Sequence, residues 1–433
     1  MKILLEGPIL TQSGYGEHTR LVYKSLKLND KNKVYVNPLR WGNTTWSLEE
    51  NPVNKNIEKD IRALGDISLK AQKENSDTKF DLHVHVGIIN EFVPKALKSI
   101  CITAGIETDR VSDDWLLRTY QNQPSKIIVP SSHAANGFLN SRHAVLEPKT
   151  NTQHEIGYNM DCPMEIIPYP VKKVSPEDID IDLETDFNFL SIALSGPRKN
   201  LEDLVRCFLE EFKDESVGLV LKTAGANGSI IDRHFTIERL EKLIRKDKNR
   251  KCKIYLLHGD LSESQIHSLY QRDDIHAYVT ATRGEGYGLP IFEAAYSGMP
   301  VVATDWSGHL DFLQAPFKEG GKVKIKKLFA KVNYKLEKIH PSAVWDKVLI
   351  ADSKWAQIDE SSLKRQMRNV LKSHGRYKKW AKALQEYILE NYEEKKILRK
   401  LEESLTGKSM FSTEMHYKKL NKRKQSLEIS GTL

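Results

Sequence analysis

Two rhythms of apolar residues alternate along this 433-residue chain. Short apolar runs, often with valine and isoleucine, are separated by longer stretches in which apolar positions return every three or four residues. The first pattern predicts strands and the second predicts helices. KILLE (2–6) opens as a strand, and KVYVN (33–37), DLHVHV (81–86), SICIT (99–103) and KIIV (126–129) follow in kind. RLVYKSLKL supports a helix after the first of them. The alternation is sharper further on. Strand FNFLSIAL (187–194) precedes helix NLEDLVRCFLEEF, VGLVLKT (217–223) precedes a helix around 235–246, and CKIYLLH (252–258) precedes ESQIHSLYQR. IHAYVTA (275–281) leads through a glycine-rich loop into another helix, and PVVAT (300–304) closes the series. Strands alternating with helices build parallel sheets covered on both faces. The fold expected is α/β, with two Rossmann-like doubly wound domains facing across a cleft and helices at the C-terminal end.

The boundaries fall at 1–170 for the first domain and 171–375 for the second, joined near EIIPYPV (165–171) by the acidic linker SPEDIDIDLETD. Residues 316–350 interrupt the pattern with GGKVKIKKLFAKVNYKLEK, an excursion with short strands. Helices are expected over 361–372 and 376–405, the latter returning toward the first domain. Its stripe of Trp380, Leu384, Ile388, Ile397, Leu401 and Leu405 packs on the body. The tail, 406–433, is polar and basic.

At 39% hydrophobic residues the chain is globular, and its length suits more than one core. No apolar run is long enough to span a membrane. MKILLEGPIL has an acid inside its apolar run, which fits a buried strand and not a signal peptide. Cys101, Cys162, Cys207 and Cys252 are widely spaced, as reduced thiols of a cytoplasmic protein are. Lys and Arg balance Asp and Glu at 20 each over 1–170, but stand at 28 against 14 over 316–433. The basic last third therefore offers a surface to DNA or to an anionic membrane at the periphery, or only solubilises the chain.

The chemistry concentrates in RGEGYGLPIFEAAYSGMPVV (283–302). Pro290 suits a first helical turn and Gly298 a helix end, so the helix runs over about 289–297. Its N-terminal N–H groups, behind Gly284, Gly286 and Gly288, attract phosphate. The two acids beside them, Glu285 and Glu293, accept hydrogen bonds from hydroxyls. A ligand with phosphates and vicinal hydroxyls uses both kinds of group, and a sugar nucleotide is such a ligand.

RGEGYGLPIFEA resembles the E-x7-E motif of GT-B glycosyltransferases, especially retaining family 4. SGPRKNLEDL (195–204) and LSESQIHSLYQRDDIHAYVTATRGEGYGLP (261–290) follow that family's pattern, and GIETDRVSDDW (105–115), KIIVPSSHAANGF (126–138), IIPYPV (166–171), SGYGEHTR (13–20) and WAQIDESSLKRQMR (355–368) are similar to its other segments. The resemblance covers most of 1–405, leaving out the tail and 316–347. It implies that Glu293 holds the ribose, that Glu285 touches the transferred sugar, and that backbone N–H groups of Gly286, Tyr287, Gly288 and Leu289 face the distal phosphate or sugar. It makes Arg198 and Lys199 the cations on the diphosphate, where they stabilise the leaving charge. Retention by front-face attack, without a metal or a separate cofactor, comes with it.

Other positions read less sharply. Lys222 is a further phosphate contact or a surface lysine. Gly14 and Gly16 close a loop over the diphosphate or form a plain turn. His83 and His85 face one side of a strand. With no third metal ligand evident, they suit acceptor contact or packing. Glu107 and Asp109, with Arg110, line the cleft. DIDID (178–182) is an acidic loop and not a metal-binding DxD. Nothing selects among UDP, GDP and ADP sugars. The acceptor is a saccharide or a lipid-linked saccharide, with a protein side chain or a hydroxylated DNA base as alternatives. A non-catalytic nucleotide-sugar-binding protein is the rival from another class.

Overall fold

A computed structural model describes residues 1–42, 44, 46, 52–147, 152–225, 228–244 and 249–407. The tail from 408, with its KKLNKRKQ run, lies outside the described residues.

Six parallel strands form the first sheet: β1 (Lys2–Gly7), β2 (Lys33–Pro38), β3 (Leu82–Val86), β4 (Lys98–Ile102), β5 (Lys126–Val129) and β6 (Met164–Ile166). Their order is β2-β1-β3-β4-β5-β6. Six more form the second: β7 (Phe187–Ile192), β8 (Val217–Thr223), β9 (Lys253–His258), β10 (Ala277–Val279), β11 (Val301–Thr304) and β12 (Ala330–Val332). That order is β9-β8-β7-β10-β11-β12, again parallel. Strand order reverses between β1 and β3 in one sheet and between β7 and β10 in the other. Loops after the carboxyl ends of such neighbouring strands diverge and leave a crevice.

The strand β6, which runs into IIPYPV, completes the first sheet. Two segments differ from the pattern-based expectation. The stretch 316–350 is only partly an excursion. Gln314–Glu319 and Lys322–Lys327 form an antiparallel hairpin, but β12 joins the second sheet beside β11. Lysines at alternate positions mask the strand periodicity there. The long C-terminal helix is two helices, His374–Asn391 and Glu394–Thr406. Between them the Tyr392 carbonyl accepts the Val171 N–H of the interdomain linker at 2.8 Å, so the chain turns where it crosses between domains.

The apolar stripe on those helices packs inward. Leu384, Ile388, Leu401 and Leu405 are all buried. Glu394–Thr406 lies on the first-domain helix Gly14–Leu26, where the Ser25 hydroxyl donates to the Leu398 carbonyl at 2.9 Å. Lys126 Nζ reaches the Ser404 carbonyl at 3.1 Å. Leu401→Ala is therefore expected to lower the unfolding free energy by about 2–5 kcal/mol, measured by urea denaturation. A change within error would mean that this helix is not part of the cooperative unit.

In the linker, DIDID forms no strand, but its exposed acids alternate with half-buried isoleucines. Ile179 and Ile181 turn to the core while Arg272 takes both of their carbonyls. Its acids are not gathered into a ligand set.

Candidate active site

The loops after β7 and β10 are neighbours because their strands are hydrogen-bonded, and each carries half of a charge cluster. Lys199 Nζ lies 2.6 Å from Glu285 Oε1, and Arg198 Nη1 lies 3.0 Å from Glu285 Oε2. Thr282 donates its hydroxyl to Glu285 Oε1 at 2.7 Å. Glu285 is buried. Burial alone pushes its carboxyl up, but Lys199 and Arg198 more than offset this and bring its pKa down to about 2. Burial also pulls the Lys199 ammonium below its ordinary value, with Glu285 opposing. The first domain adds Glu107, whose Oε1 stands 3.4 Å from Arg198 Nη2.

Glycines let the two domains meet at this cluster. A Cβ on residue 284 would fall 2.0 Å from the Glu107 carbonyl oxygen, and one on 286 would fall 2.3 Å from the Ala104 oxygen. The Ser131 hydroxyl donates to the Gly286 carbonyl across the same seam at 2.5 Å. Gly288, at φ 94°, turns the chain into helix Leu289–Tyr296, with Pro290 in its first turn and Gly298 (φ 78°) after its end. That is the helix and capping chemistry read from the motif. On the far side of the loop, Ser307 accepts the Glu285 N–H at 3.0 Å and so fixes the acid from behind.

Glu293 does not join this cluster. It lines an interdomain cavity of about 320 Å³ together with Glu17, Lys172, Leu261, Glu263 and Leu289. Tyr270 donates its hydroxyl to Glu293 Oε2 at 3.1 Å. Burial raises the Glu293 carboxyl to about 7, only partly opposed by Lys172. Lys172, from the linker, bridges the lobes. Its ammonium pairs with Glu17 of the first domain at 2.6 Å and with Glu263 of the second.

The residues matched by the family model for glycosyl transferases group 1 are 180–324, which contain the whole second-domain cluster. The chain carries a glycosyltransferase group 1 domain. A sucrose synthase of Melioribacter roseus is 26% identical to it over 134 residues, an alignment taking in 27% of this chain and 15% of that protein. HepE of Anabaena, solved with UDP and glucose, superposes with a TM-score of 0.60 at 13% identity, covering 94% of this chain and all of that one. Sucrose-phosphate synthase of Thermosynechococcus elongatus gives 0.57 at 12% identity over 93% and 97% of the two chains. The architecture is that of GT-B glycosyltransferases: two Rossmann-like domains with C-terminal helices.

Around this group 1 domain the other sequence-derived candidates take varied places. Gly14 and Gly16 are not in a loop. They form the first turn of helix Gly14–Leu26, capped by Ser13, whose Oγ accepts the Gly16 N–H at 3.0 Å. Gly16 is needed for packing, since a Cβ there would meet the Thr11 oxygen at 2.2 Å. Lys222 Nζ donates to the Gly259 carbonyl at 2.6 Å, which ties the loop after β9 to the end of β8. Tyr287 turns its ring into the core against Tyr169 and Phe312, which leaves only its backbone for a ligand. Asp109 crosses to the second domain, where its carboxylate accepts the Lys354 N–H at 2.6 Å.

His83 and His85 do have a third neighbour, Glu6 on the adjacent strand, with ligand atoms within 4.8 Å of one another. The carboxylate is already engaged. His83 Nε2 sits 2.8 Å from Oε2, and Lys95 and Asn37 both donate to Oε1 at 2.6 Å. The Lys95 backbone N–H approaches His83 Nδ1 at 3.3 Å, which puts the ring proton on Nε2, toward Glu6. Burial raises the Glu6 carboxyl, and these donors overcome it to hold the pKa near 2. Glu6 and His83 thus share a hydrogen-bonded network with Lys95 and Asn37, while His85 Nε2 is buried without a hydrogen-bond partner among the described residues.

Glu17 and Tyr270 lie within the segments 13–20 and 261–290, whose resemblance assigns them no role, and Lys172 and Ser307 lie outside every quoted motif. Each reaches the site through tertiary packing.

Proposed function

We propose that this protein transfers a sugar from a nucleoside diphosphate sugar to an acceptor hydroxyl, with retention of configuration and without a metal ion. The observation that carries the reading is the convergence of Arg198 and Lys199 on Glu285 at the strand-order reversal of the second sheet, facing Glu107 across the cleft. Arg198 and Lys199 take the diphosphate and stabilise its charge as the glycosidic bond lengthens. Glu285 accepts hydrogen bonds from hydroxyls of the transferred sugar. Glu293 accepts those of the ribose in the adjoining cavity. The acceptor hydroxyl attacks from the leaving-group side, and the departing phosphate takes its proton. A uridine donor is favoured by the Anabaena structure with UDP-glucose and by the Escherichia coli structure bound with UDP-2-fluoro glucose. The acceptor is a saccharide or a lipid-linked saccharide.

Thermal unfolding with UDP, GDP and ADP sugars tests the donor, and mass spectrometry of glycan, lipid, protein and modified-DNA acceptors tests the product. Glu293→Ala is expected to weaken nucleotide binding about 10- to 150-fold, as the loss of a charge-assisted bond of about 1.5–3 kcal/mol requires. In the parent protein the ligand-induced rise in Tm should grow as pH passes upward through about 7, where Glu293 ionises. The free protein should show the opposite slope. A carboxyl raised on folding makes the unfolded chain the better proton donor, so stability declines as pH rises from about 4.5 to about 7. A ligand-induced shift that is independent of pH and retained in Glu293→Ala would remove the ribose assignment.

A further inference from the structure

Three aromatic rings stand in a row on the first-domain side of the cleft. Tyr15 and Trp41 stand with ring centroids 4.3 Å apart, and Trp41 and Trp345 stand 6.4 Å apart at 61°. The first two belong to the first domain. Trp345 arrives from the second, on the segment between Tyr334–Lys338 and Lys354–Ile358, which lies beyond the residues matched to the group 1 model. The segment is held down on the first domain. The Ser112 hydroxyl donates to the Lys347 carbonyl at 2.7 Å, the Asp109 carboxylate accepts the Lys354 N–H at 2.6 Å while the Asp109 N–H donates to the Lys354 carbonyl at 2.8 Å, and Arg110 pairs with Asp352 at 3.4 Å. Yet Trp345 keeps half of its surface (50%) exposed, and Trp41 is only half-buried. Immobilising an indole and leaving its face open forgoes the stabilisation that its burial would give.

The row of rings leads to the reacting centre. The Tyr15 hydroxyl bonds Thr103 Oγ1 at 2.9 Å and accepts the Ala104 N–H at 3.2 Å. Ala104 is the residue against which Gly286 packs, one position from Glu285. Tilted indoles beside carboxylates match the two faces of a pyranose, whose axial C–H bonds lie on aromatic rings while its equatorial hydroxyls donate to acids. Glu107 and Asp109, each partly exposed, are acids on the first-domain side of the seam that holds this segment.

We propose that Trp41 and Trp345 form a subsite for a pyranose ring of the acceptor saccharide, completed only when the two domains are together. This rests on the proposed transfer reaction for its meaning, but not for its test. Intrinsic tryptophan fluorescence of the full chain, titrated with methyl glucoside, maltose and maltotriose with and without UDP, should show a saturable change. Trp345→Ala should weaken that response about 10-fold, the equivalent of one aromatic contact of up to about 1.5 kcal/mol. Trp345→Phe should retain most of it, and the UDP-induced rise in Tm should be unchanged in both. Pyranoside binding without any UDP response would sink the donor reading and leave this subsite standing. Absence of a pyranoside response, an unaltered response in Trp345→Ala, or a response to oligo-dT instead of sugars would each overturn the subsite.

Discussion

Lys199→Ala is expected to lower kcat/KM for sugar transfer about 10- to 150-fold, with most of the loss in kcat. In the proposed reaction the ammonium is, with the Arg198 guanidinium, a cation on the departing diphosphate, and a charge-assisted contact of this kind contributes about 1.5–3 kcal/mol. It is worth more as the bond breaks than before, because charge accumulates on the leaving phosphate. The same substitution strips Glu285 of its 2.6 Å partner. A buried carboxylate deprived of an ion is destabilising, although Arg198 and Thr282 remain on it. The two effects separate in the double variant Lys199→Ala/Glu285→Gln, which should recover stability without recovering transfer. The pH dependence offers a second check. Glu285 has a depressed pKa of about 2, so its stabilisation is complete above about 4.5 and is lost as pH falls toward 2. That acid-side loss should be shallower in Lys199→Ala. Wild-type rates in the single variant would contradict the diphosphate role.

Gly286→Ala should be about as damaging, for a steric reason. The new methyl group would lie 2.3 Å from the Ala104 carbonyl oxygen, a backbone atom that cannot swing aside. The seam must open, and the Ser131–Gly286 bond goes with it. Misplacement of reacting groups by about 1 Å can cost about 100-fold in rate, so a loss of that order in kcat is expected. UDP, which the proposed function assigns to second-domain groups, should still raise Tm. Near-normal turnover with an alanine at 286 would show that the domains do not have to touch there during transfer.

The parts of this architecture that were legible in the sequence are those fixed by local chemistry. β1 and β8 stand out because each carries three consecutive aliphatic residues, Ile3–Leu5 and Leu219–Leu221, and helix Leu289–Tyr296 because proline and glycine punctuate both of its ends. Arg198, Lys199 and Glu285 were legible as a motif, and strand adjacency in the sheet brings them together. β12 was hidden because a central lysine interrupts its three residues. The turn at Tyr392 was hidden because no glycine or proline announces it; a partner from the distant linker imposes it. Glu6 as companion to His83 and His85, and Lys172 between Glu17 and Glu263, depend on register and domain placement, which spacing along one chain does not encode.

Arg198 and Lys199 do not wait in the cleft as bare charges. With Glu285 and Glu107 they make two cations and two anions within contact distance, so the quartet has no net charge. Its field cancels beyond its own dimensions, and an approaching diphosphate feels little pull from afar. Capture of the proposed donor would then be an exchange of partners, in which phosphate oxygens displace carboxylate oxygens. Discrimination among anions rests on which of them can also supply hydroxyls to the acids it releases.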